Sequence, residues 1–390
     1  MKRVYLDHAA TTPLDPDVLE AMRPYLTEHY GNASSVHRLG RKARFAMEDS
    51  RERIAGLIGA EPGEIVFTSG GTEADNLAIK GVLRHLAESQ GTRPRLVTSA
   101  AEHEAVLRPA EALADAGWPV TILTPERHGA VRPKQLAQAL TDDVGLVSLM
   151  HANNETGVMT PIAEIAELCR ERDVLFHTDA VQTAGLFELD VDELGVDLLS
   201  MSGHKFYGPK GVGVLYVRGG VDLDPLVEGG SQERDRRGGT ENVASAVGMA
   251  EALERAVETA EAQRARLRTL QRRLIAGVTE AVGDGLIVNT PIDDQPVAPH
   301  VVNFAFPPQE DARVDGEMLI LNLDMEGVLA SAGSACTSGA LEPSHVLTAL
   351  GLPRETASAA VRFSLGKHTA EGEVDYAVDT LASIIERMRR

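Results

Sequence analysis

The chain has 390 residues, of which 43% are hydrophobic and 25% are charged, so it is long enough and apolar enough to build two globular cores. Its formal net charge of −20 argues against a nucleic-acid surface, which needs a positive field. No apolar run approaches the roughly 20 residues that cross a bilayer, and the N-terminus lacks the apolar segment of a signal peptide, so we expect a cytoplasmic protein with no membrane or direct nucleic-acid partner.

The first part of the chain predicts an ordered arm, two helices and a strand–turn–helix unit. Residues 5–13 are small and polar, and helical patterns cover residues 16–25 and 40–58. A strand at residues 64–68 is followed by a glycine turn at residues 69–72 and a helix to about residue 87. Because the free N–H groups and the dipole of a helix start both favour anions, this turn is a candidate anion site, although such turns more often bind nothing.

The middle of the chain predicts a mostly parallel sheet with helices on both faces. Six further apolar runs alternate with helical segments, a pattern typical of such sheets. These strands are expected at residues 95–100, 120–124, 144–150, 174–178, 196–200 and 213–217. Polar residues follow several strand ends, where ligands of α/β sheets bind, so we expect these residues to converge. They are His103, the run from Asn153 to Glu155, Asp179, Gln182 and the run from Ser202 to Lys205.

From about residue 241 the composition shifts to Ala, Glu, Arg and Leu with helical spacing. The stretch to about residue 282 is too long for an ordinary globular helix, so we predict a hinge or two helices here. A coiled coil is disfavoured because the apolar spacing keeps no heptad. A second, smaller α/β domain is predicted beyond it. Its strands are expected at residues 286–289, 301–306 and 361–364, and its helices at about 313–325, 343–350 and 370–389.

The two cysteines, Cys169 and Cys336, are too few for a disulfide framework, and no zinc-ligand spacing is present. Cys169 lies on the apolar face of a helix that starts near Pro161, so we interpret it as a small buried hydrophobe. Cys336 lies among Ser, Gly and Ala residues without an apolar face, a setting typical of reactive thiols. We expect no metal site, with a transient iron–sulfur contact at Cys336 as the one alternative.

Lys205 follows a predicted buried strand instead of lying on a helix face. Burial there would lower its pKa and leave a neutral amine able to attack a carbonyl. A solvated turn lysine is the commoner alternative. Ser202 and His204, which can hold an anion, and the upstream Asp179 favour the reactive interpretation.

These residues resemble the cofactor-lysine segment of the class V aminotransferase family, whose members use pyridoxal 5′-phosphate (PLP). The resemblance implies the α/β fold of type I PLP-dependent transferases. It also implies a large PLP-binding domain at residues 15–258, and a small domain, formed by residues 1–14 and 259–390, that carries the Cys336 loop.

The same resemblance implies a role for each polar residue. Lys205 holds the cofactor as a Schiff base, Asp179 pairs with the pyridine nitrogen, and His103 stacks on the ring and shuttles protons. Further cofactor contacts are implied at Gly71, Thr72, Asn154, Ser202, Gly203 and His204, and Gln182 is implied to face the ring hydroxyl. Singly, these residues have structural alternatives, such as a helix cap for Asp179 or a surface amide for Gln182. Their common order along the chain argues against chance.

The Ser331–Gly339 segment narrows the resemblance to the cysteine desulfurases of the NifS/IscS type. Motifs at residues 6–12, 237–242 and 362–364 extend it through nearly the whole chain. It implies L-cysteine as substrate, with Arg362 and Asn154 holding its carboxylate and Lys205 removing its α-proton. Cys336 is implied to take the sulfur as a persulfide while alanine is released. Thr240 matches a position that completes the neighbouring subunit's phosphate site, so a homodimer is implied.

Three alternatives remain open from the sequence. A selenocysteine lyase or an aminotransferase has the same fold, although an aminotransferase has no use for a thiol like that of Cys336. An inert sulfur-assembly scaffold is disfavoured because Lys205 and Asp179 are both retained. The expected sulfur acceptor is a protein such as an iron–sulfur scaffold, and a tRNA-thiolation relay or general sulfur supply are equally compatible with the sequence.

Overall fold

The computed structural model describes residues 3–126, 129–293, 295–309, 312–332 and 342–390. The helices are α1 Pro16–Thr27, α2 Arg38–Leu57, α3 Gly71–Asn76, α4 Val82–Gln90, α5 Glu104–Asp115, α6 Pro133–Ala139, α7 Ile162–Arg170, α8 Val191–Leu194, α9 Val243–Val282, α10 Gly316–Met325, α11 His345–Ala349, α12 Arg354–Ser358 and α13 Glu371–Met388. The strands are β1 Val4–Tyr5, β2 Ile65–Thr68, β3 Arg95–Ser99, β4 Val120–Leu123, β5 Val144–Ser148, β6 Leu175–Asp179, β7 Leu198–Ser202, β8 Gly213–Val217, β9 Ile287–Val288, β10 Val301–Ala305, β11 Val328–Leu329 and β12 Ala360–Ser364.

A seven-stranded sheet in the order β2-β8-β7-β6-β5-β3-β4 forms the first unit of the fold. The strands from β7 to β4 pair in parallel, which confirms the predicted mostly parallel sheet. β8 instead lies antiparallel to both β7 and β2. Its direction follows from the short connection at residues 203–212, since a parallel partner would need a long crossover. That connection carries Lys205.

Helices cover both faces of this sheet because its strands bury alternate side chains on opposite sides. Leu96, for example, packs with α3, α4 and α5. The next residue, Val97, packs with α2, α7 and the first half of α9. Two apolar layers therefore enclose the strands, and ligands reach them only at their ends.

A second unit contains the antiparallel sheet β12-β10-β9 and the parallel pair β1-β11. Its core joins Phe304 and Phe363 to apolar residues of α10, α13 and the second half of α9. Within the described ranges, no helix combines the length and apolar composition that crossing a bilayer requires.

The prediction of a hinge or two helices after residue 241 is wrong, because Val243–Val282 is one continuous helix. Residues Val243–Leu253 pack in the core of the first unit, whereas Leu267, Leu270, Leu274 and Val278 pack in the core of the second. Each half is stabilised by a different core, and no proline interrupts the helix.

The predicted N-terminal arm begins as strand β1 and then crosses from the second unit to the first. The His8 N–H donates to the Ser364 carbonyl at 3.3 Å, and the Thr12 N–H donates to the His204 carbonyl at 3.0 Å. The arm therefore ties strand β12 to the turn that contains Lys205.

Candidate active site

A cavity of about 430 Å³ lies at the carboxyl ends of β5, β6 and β7, where the arm and strand β12 meet the first unit. It brings together most of the residues that the sequence analysis singled out. Those lining it are Gly71, Thr72, His103, Asn154, Asp179, Gln182, Ser202, His204, Lys205 and Arg362.

Lys205 lies in the turn that follows β7. Its ammonium donates to the carbonyl oxygens of Ala9 and Ala10, the second at 3.1 Å. Burial lowers the pKa of Lys205 to about 8, and the positive charge of Arg362 adds to this effect. The direction of the shift is the one expected from the sequence, and it places a nucleophilic amine within reach of neutral pH.

Gly203 shapes this turn from behind and does not line the cavity. A side chain there would begin 3.1 Å from the Pro209 carbonyl oxygen and from a methyl carbon of Val212. The Gly203 N–H also donates to the Val212 carbonyl at 3.1 Å. Glycine therefore lets the chain reverse directly before Lys205.

Asp179 ends β6 and is buried. One carboxylate oxygen accepts the Val181 N–H at 2.9 Å. Burial raises the pKa of Asp179, and the positive potentials of His103 and Lys205 oppose this rise. A cationic ring nitrogen next to this carboxyl would favour its ionised form, which is the pairing that a pyridinium requires.

His103 caps α5, and its Nδ1 accepts the Ala105 N–H at 3.1 Å. The neutral ring therefore carries its proton on Nε2. Part of the His103 side chain is open to solvent at the cavity, but the surrounding protein displaces much of the water around the ring. This desolvation lowers the pKa of His103. A neutral ring of this kind can stack on a cofactor and exchange a proton.

The start of α3 and the end of β7 form a cradle for an anion. A side chain at Gly71 would begin 2.8 Å from a methyl carbon of Val181 and 3.5 Å from Ser202 Cβ, so glycine allows this close approach. Thr72 and His204 complete the cradle, and Thr11 Oγ1 lies 3.0 Å from His204 Nδ1. Burial lowers the pKa of His204 to about 4.

Arg362, on β12, is 4% exposed. Its guanidinium donates to Asp7 Oδ1 at 3.0 Å, to Ser331 Oγ at 2.9 Å and to the Asn154 carbonyl at 2.9 Å. Its Nε–H and the Asn154 side-chain oxygen are buried without a hydrogen-bond partner among the described residues. Unsatisfied donors and acceptors beside a cavity are typical of a polar ligand site.

Three buried carboxyl groups lie at or beside the cavity, and only Glu155 was among the polar residues expected there from the sequence. They are Asp75, Glu102 and Glu155, and burial raises the pKa of each. Asp75 Oδ1 and Glu102 Oε2 have no hydrogen-bond partner in the described part of the chain. The sequence signal for Asp75 was an acid two residues before the apolar run at residues 77–79. Asp7 belongs to the motif at residues 6–12, and the sequence alone gave it no specific role.

Two predicted residues lie elsewhere. Thr240 is exposed and lines a separate pocket of about 210 Å³ with Ser69 and Arg237. Cys336 lies in residues 333–341, outside the described residues. The described residues on either side of that segment include Ser331 and His345, and both line the main cavity.

Cys169 is buried on α7, and burial raises the pKa of its thiol to about 12. This confirms its interpretation as a small core hydrophobe.

The residues of the cavity fit PLP. An amine of lowered pKa, a buried carboxyl and an anion cradle occupy separate walls of the same cavity. The Arg362 Nε–H and the Asn154 side-chain oxygen, which have no partner within the described ranges, remain for a polar ligand next to them.

Comparisons with known proteins agree with this chemistry. The sequence pattern of the family described as "Aminotransferase class-V" matches residues 4–377. The chain is 49% identical to "Cysteine desulfurase IscS" of Dictyoglomus turgidum, covering 100% of this chain and 96% of that protein. It is 45% identical to the protein of the same description from Clostridium botulinum, with the same coverage. A solved structure described as a NifS-like protein superimposes with a TM-score of 0.89 at 36% identity, covering 99% of this chain and 100% of the other.

Proposed function

The chain belongs to the class V aminotransferase family, and we propose that it is a PLP-dependent cysteine desulfurase that converts L-cysteine to L-alanine and passes the sulfur on. The observation that carries the proposal is the convergence of Lys205, Asp179 and Arg362 on one cavity. An amine, a ring-pairing carboxyl and a carboxylate-binding guanidinium are the groups that amino-acid chemistry on PLP needs.

PLP, when bound, supplies the electron sink for reactions at the carbons of an amino acid. Lys205 would anchor it through its amine, Asp179 would pair with the ring nitrogen, and His103 would cover the ring. The Gly71 N–H, Thr72, Ser202 and His204 would hold the phosphate. The positive end of the helix that begins at Gly71 favours this anion.

Arg362 orients the substrate through its carboxylate. No described residue bonds its Nε–H, and contacts to Asp7, Ser331 and the Asn154 carbonyl hold the guanidinium in place. Asn154 assists with its side-chain amide. Lys205 then accepts the α-proton, which its lowered pKa allows near neutral pH.

Cys336 is the proposed sulfur acceptor. Its thiolate attacks the substrate sulfur, a sulfur–sulfur bond forms, and the carbon–sulfur bond of L-cysteine breaks. The electrons of that bond remain on carbon, which takes up a proton, so cysteine and a thiol become alanine and a persulfide. The sequence segment fits this role because Ser331 and His345, on either side of residues 333–341, both line the cavity.

We also propose a homodimer in which Thr240 completes the partner's phosphate site. Large apolar side chains are exposed on α1, α2 and the segment between them, namely Leu26 (58%), Tyr30 (72%), Val36 (84%) and Phe45 (73%). A surface of this kind is typical of a protein interface. Helix α2 also contributes Met47 to the pocket that contains Thr240, which places both features on one side of the molecule.

Three further proposals follow from the family. The large domain comprises residues 15–258, and the small domain comprises residues 1–14 and 259–390. The two separate apolar cores support this division. The protein acts in the cytoplasm and delivers sulfur to an acceptor protein, such as an iron–sulfur scaffold.

The test is product analysis with purified, PLP-loaded protein. We expect equal amounts of L-alanine and sulfide from L-cysteine in the presence of a reductant, and neither product from the Lys205→Ala variant. Amino transfer to a 2-oxo acid, with 3-mercaptopyruvate as the other product, would instead identify an aminotransferase. A kcat/KM for L-selenocysteine far above that for L-cysteine would identify a selenocysteine lyase.

A further inference from the structure

His300 lies behind the candidate active site, in a second cavity of about 80 Å³. Gln182 and Lys205 line both cavities and so form part of the wall between them. His300 precedes β10 in the second unit of the fold, whereas Gln182 follows β6 in the first. A contact between them joins the two units directly at the cofactor site.

The amide of Gln182 has one orientation that satisfies its neighbours. Its nitrogen donates to the Ala9 carbonyl at 3.1 Å, and a carbonyl oxygen can only accept. The amide oxygen therefore faces His300 Nε2, which lies 3.1 Å away. It follows that His300 carries its proton on Nε2 and donates it to Gln182.

The position of His300 is itself fixed. Gln271 on α9 donates to the carbonyls of Ala298 and Val301, at 3.0 and 2.8 Å, on either side of His300. The His300 carbonyl accepts the Leu365 N–H at 2.8 Å. The imidazole is buried, and its Nδ1 has no hydrogen-bond partner among the described residues, as expected for the neutral Nε2–H tautomer.

The charged and titratable groups around His300 also favour its neutral form. Burial lowers the pKa of His300 to about 3, and His8, Arg362 and Lys205 add to the effect. The imidazole is therefore expected to remain neutral, and a donor through Nε2–H, at pH values well above 3.

We propose that His300 is a positioning residue that locks the Gln182 amide, so that the second N–H of that amide is kept for the ring oxygen of PLP. The inference rests on the proposed function only in its use of PLP bound at Lys205. A hydrogen bond to the ring oxygen stabilises the form in which that oxygen carries most negative charge. That form is the deprotonated state of the linkage between PLP and Lys205. The hydrogen bond from Gln182 therefore lowers the pH midpoint of the visible absorbance change that accompanies deprotonation of this linkage.

The experiment is a pH titration of that absorbance in the PLP-loaded protein. His300→Phe keeps a ring of similar size and removes the donor, so we expect the midpoint to rise by about 0.5 to 1 unit. His300→Gln retains an N–H donor and should restore most of the shift. Gln182→Leu should raise the midpoint to a similar extent. Adding His300→Phe to Gln182→Leu should then shift it no further, because both changes remove the same bond.

A midpoint unchanged in His300→Phe, or shifted equally with and without Gln182, would overturn the inference. The ¹⁵N NMR spectrum of the histidine rings tests the tautomer of His300 in the wild-type protein without bound cofactor. The His300 resonances, assigned by their loss in His300→Phe, should show an Nε2–H tautomer that persists at pH 5, and a proton on Nδ1 would contradict the proposal. If the protein binds PLP but yields no sulfide, the proposed function is wrong. The absorbance titration and the NMR spectrum would still test the role of His300.

Discussion

Arg362 and Asp7 form an ion pair in which the guanidinium Nη2 lies 3.0 Å from the carboxylate Oδ1, with side chains only 5% and 22% exposed. The pair joins strand β12 to the N-terminal arm, and the arm also supplies the carbonyls of Ala9 and Ala10 that contact Lys205. The guanidinium proposed to bind substrate and the lysine proposed to hold the cofactor are therefore both held by one short segment. Such preorganisation fixes the position of the Arg362 guanidinium relative to the Lys205 amine before substrate binds.

The first prediction concerns Arg362→Ala. Loss of a buried charged contact to the substrate carboxylate typically costs a few kcal/mol, so kcat/KM for L-cysteine should fall by about 100-fold or more. The visible absorbance of bound PLP should remain, because Arg362 is not among the proposed cofactor contacts. Arg362→Lys keeps the charge without the two-pronged geometry and should recover only part of the loss. An unchanged kcat/KM in Arg362→Ala would remove this residue from the site.

The second prediction concerns the pH dependence of PLP uptake by protein stripped of cofactor. Only the neutral amine attacks the aldehyde, and the pKa of Lys205 is lowered from 10.5 to about 8. The neutral fraction therefore grows as the pH rises, and the uptake rate should increase with a midpoint near pH 8. Stopped-flow absorbance between pH 6 and 10 measures this directly.

Its matched control is Lys210→Ala, which removes an exposed lysine a few residues along the chain. That variant should take up PLP like the wild type, and borohydride should fix the label on Lys205. Lys205→Ala should show no covalent linkage at any pH. An uptake rate that still rises at pH 10 without reaching a midpoint would mean that the cavity does not perturb this amine.

The sequence predicted the central sheet well because fully buried parallel strands are near-continuous apolar runs. It also predicted where the site would form, since Asp179 and Lys205 follow neighbouring strands of that sheet. The pairing of β1 with β11 was not predictable. Each strand has two residues, and their partners are more than 300 positions apart in sequence.

Other features depend on tertiary contacts that leave no local signal. The continuous helix α9 is stabilised by two different cores, and its periodicity does not say which core each half faces. Asp75 and Glu102 occupy positions where acids are usually solvated, and their burial is visible only in the fold. His300 belongs to no motif, and its contact with Gln182 arises because the two units of the fold meet there.

The third prediction concerns Glu233 and Arg51, a buried pair with both side chains 4% exposed. Two guanidinium nitrogens of Arg51 donate to the two Glu233 oxygens at 2.8 and 2.9 Å, and the Phe67 N–H donates to Oε2 at 2.9 Å. Glu233 begins three residues with positive φ, at 46, 56 and 64°, on the approach to Thr240. Arg51→Ala would leave the carboxylate buried without its cation, so the free energy of unfolding should fall by about 3–5 kcal/mol.

The control is Arg23→Ala, which breaks an exposed pair with Glu20 whose side chains are 60% and 61% accessible. Exposed pairs contribute little, so its urea midpoint should stay close to that of the wild type. Equal midpoints for the two variants would contradict a stabilising role for the Arg51–Glu233 pair.

The last prediction concerns Cys336 and separates a desulfurase from other enzymes of the family. The proposed linkage to PLP and the binding of the substrate carboxylate use Lys205 and Arg362, so Cys336→Ser should bind PLP and still change its absorbance when L-cysteine is added. It should form neither persulfide nor sulfide, because no thiolate remains to take the sulfur.

Mass spectrometry of the wild type, after brief exposure to L-cysteine without reductant, should find one extra sulfur on the Cys336 peptide. The Cys169 peptide is the internal control, because burial and a pKa of about 12 keep that thiol protonated. Alanine and sulfide production by Cys336→Ser at the wild-type rate would rule out the desulfurase mechanism proposed here.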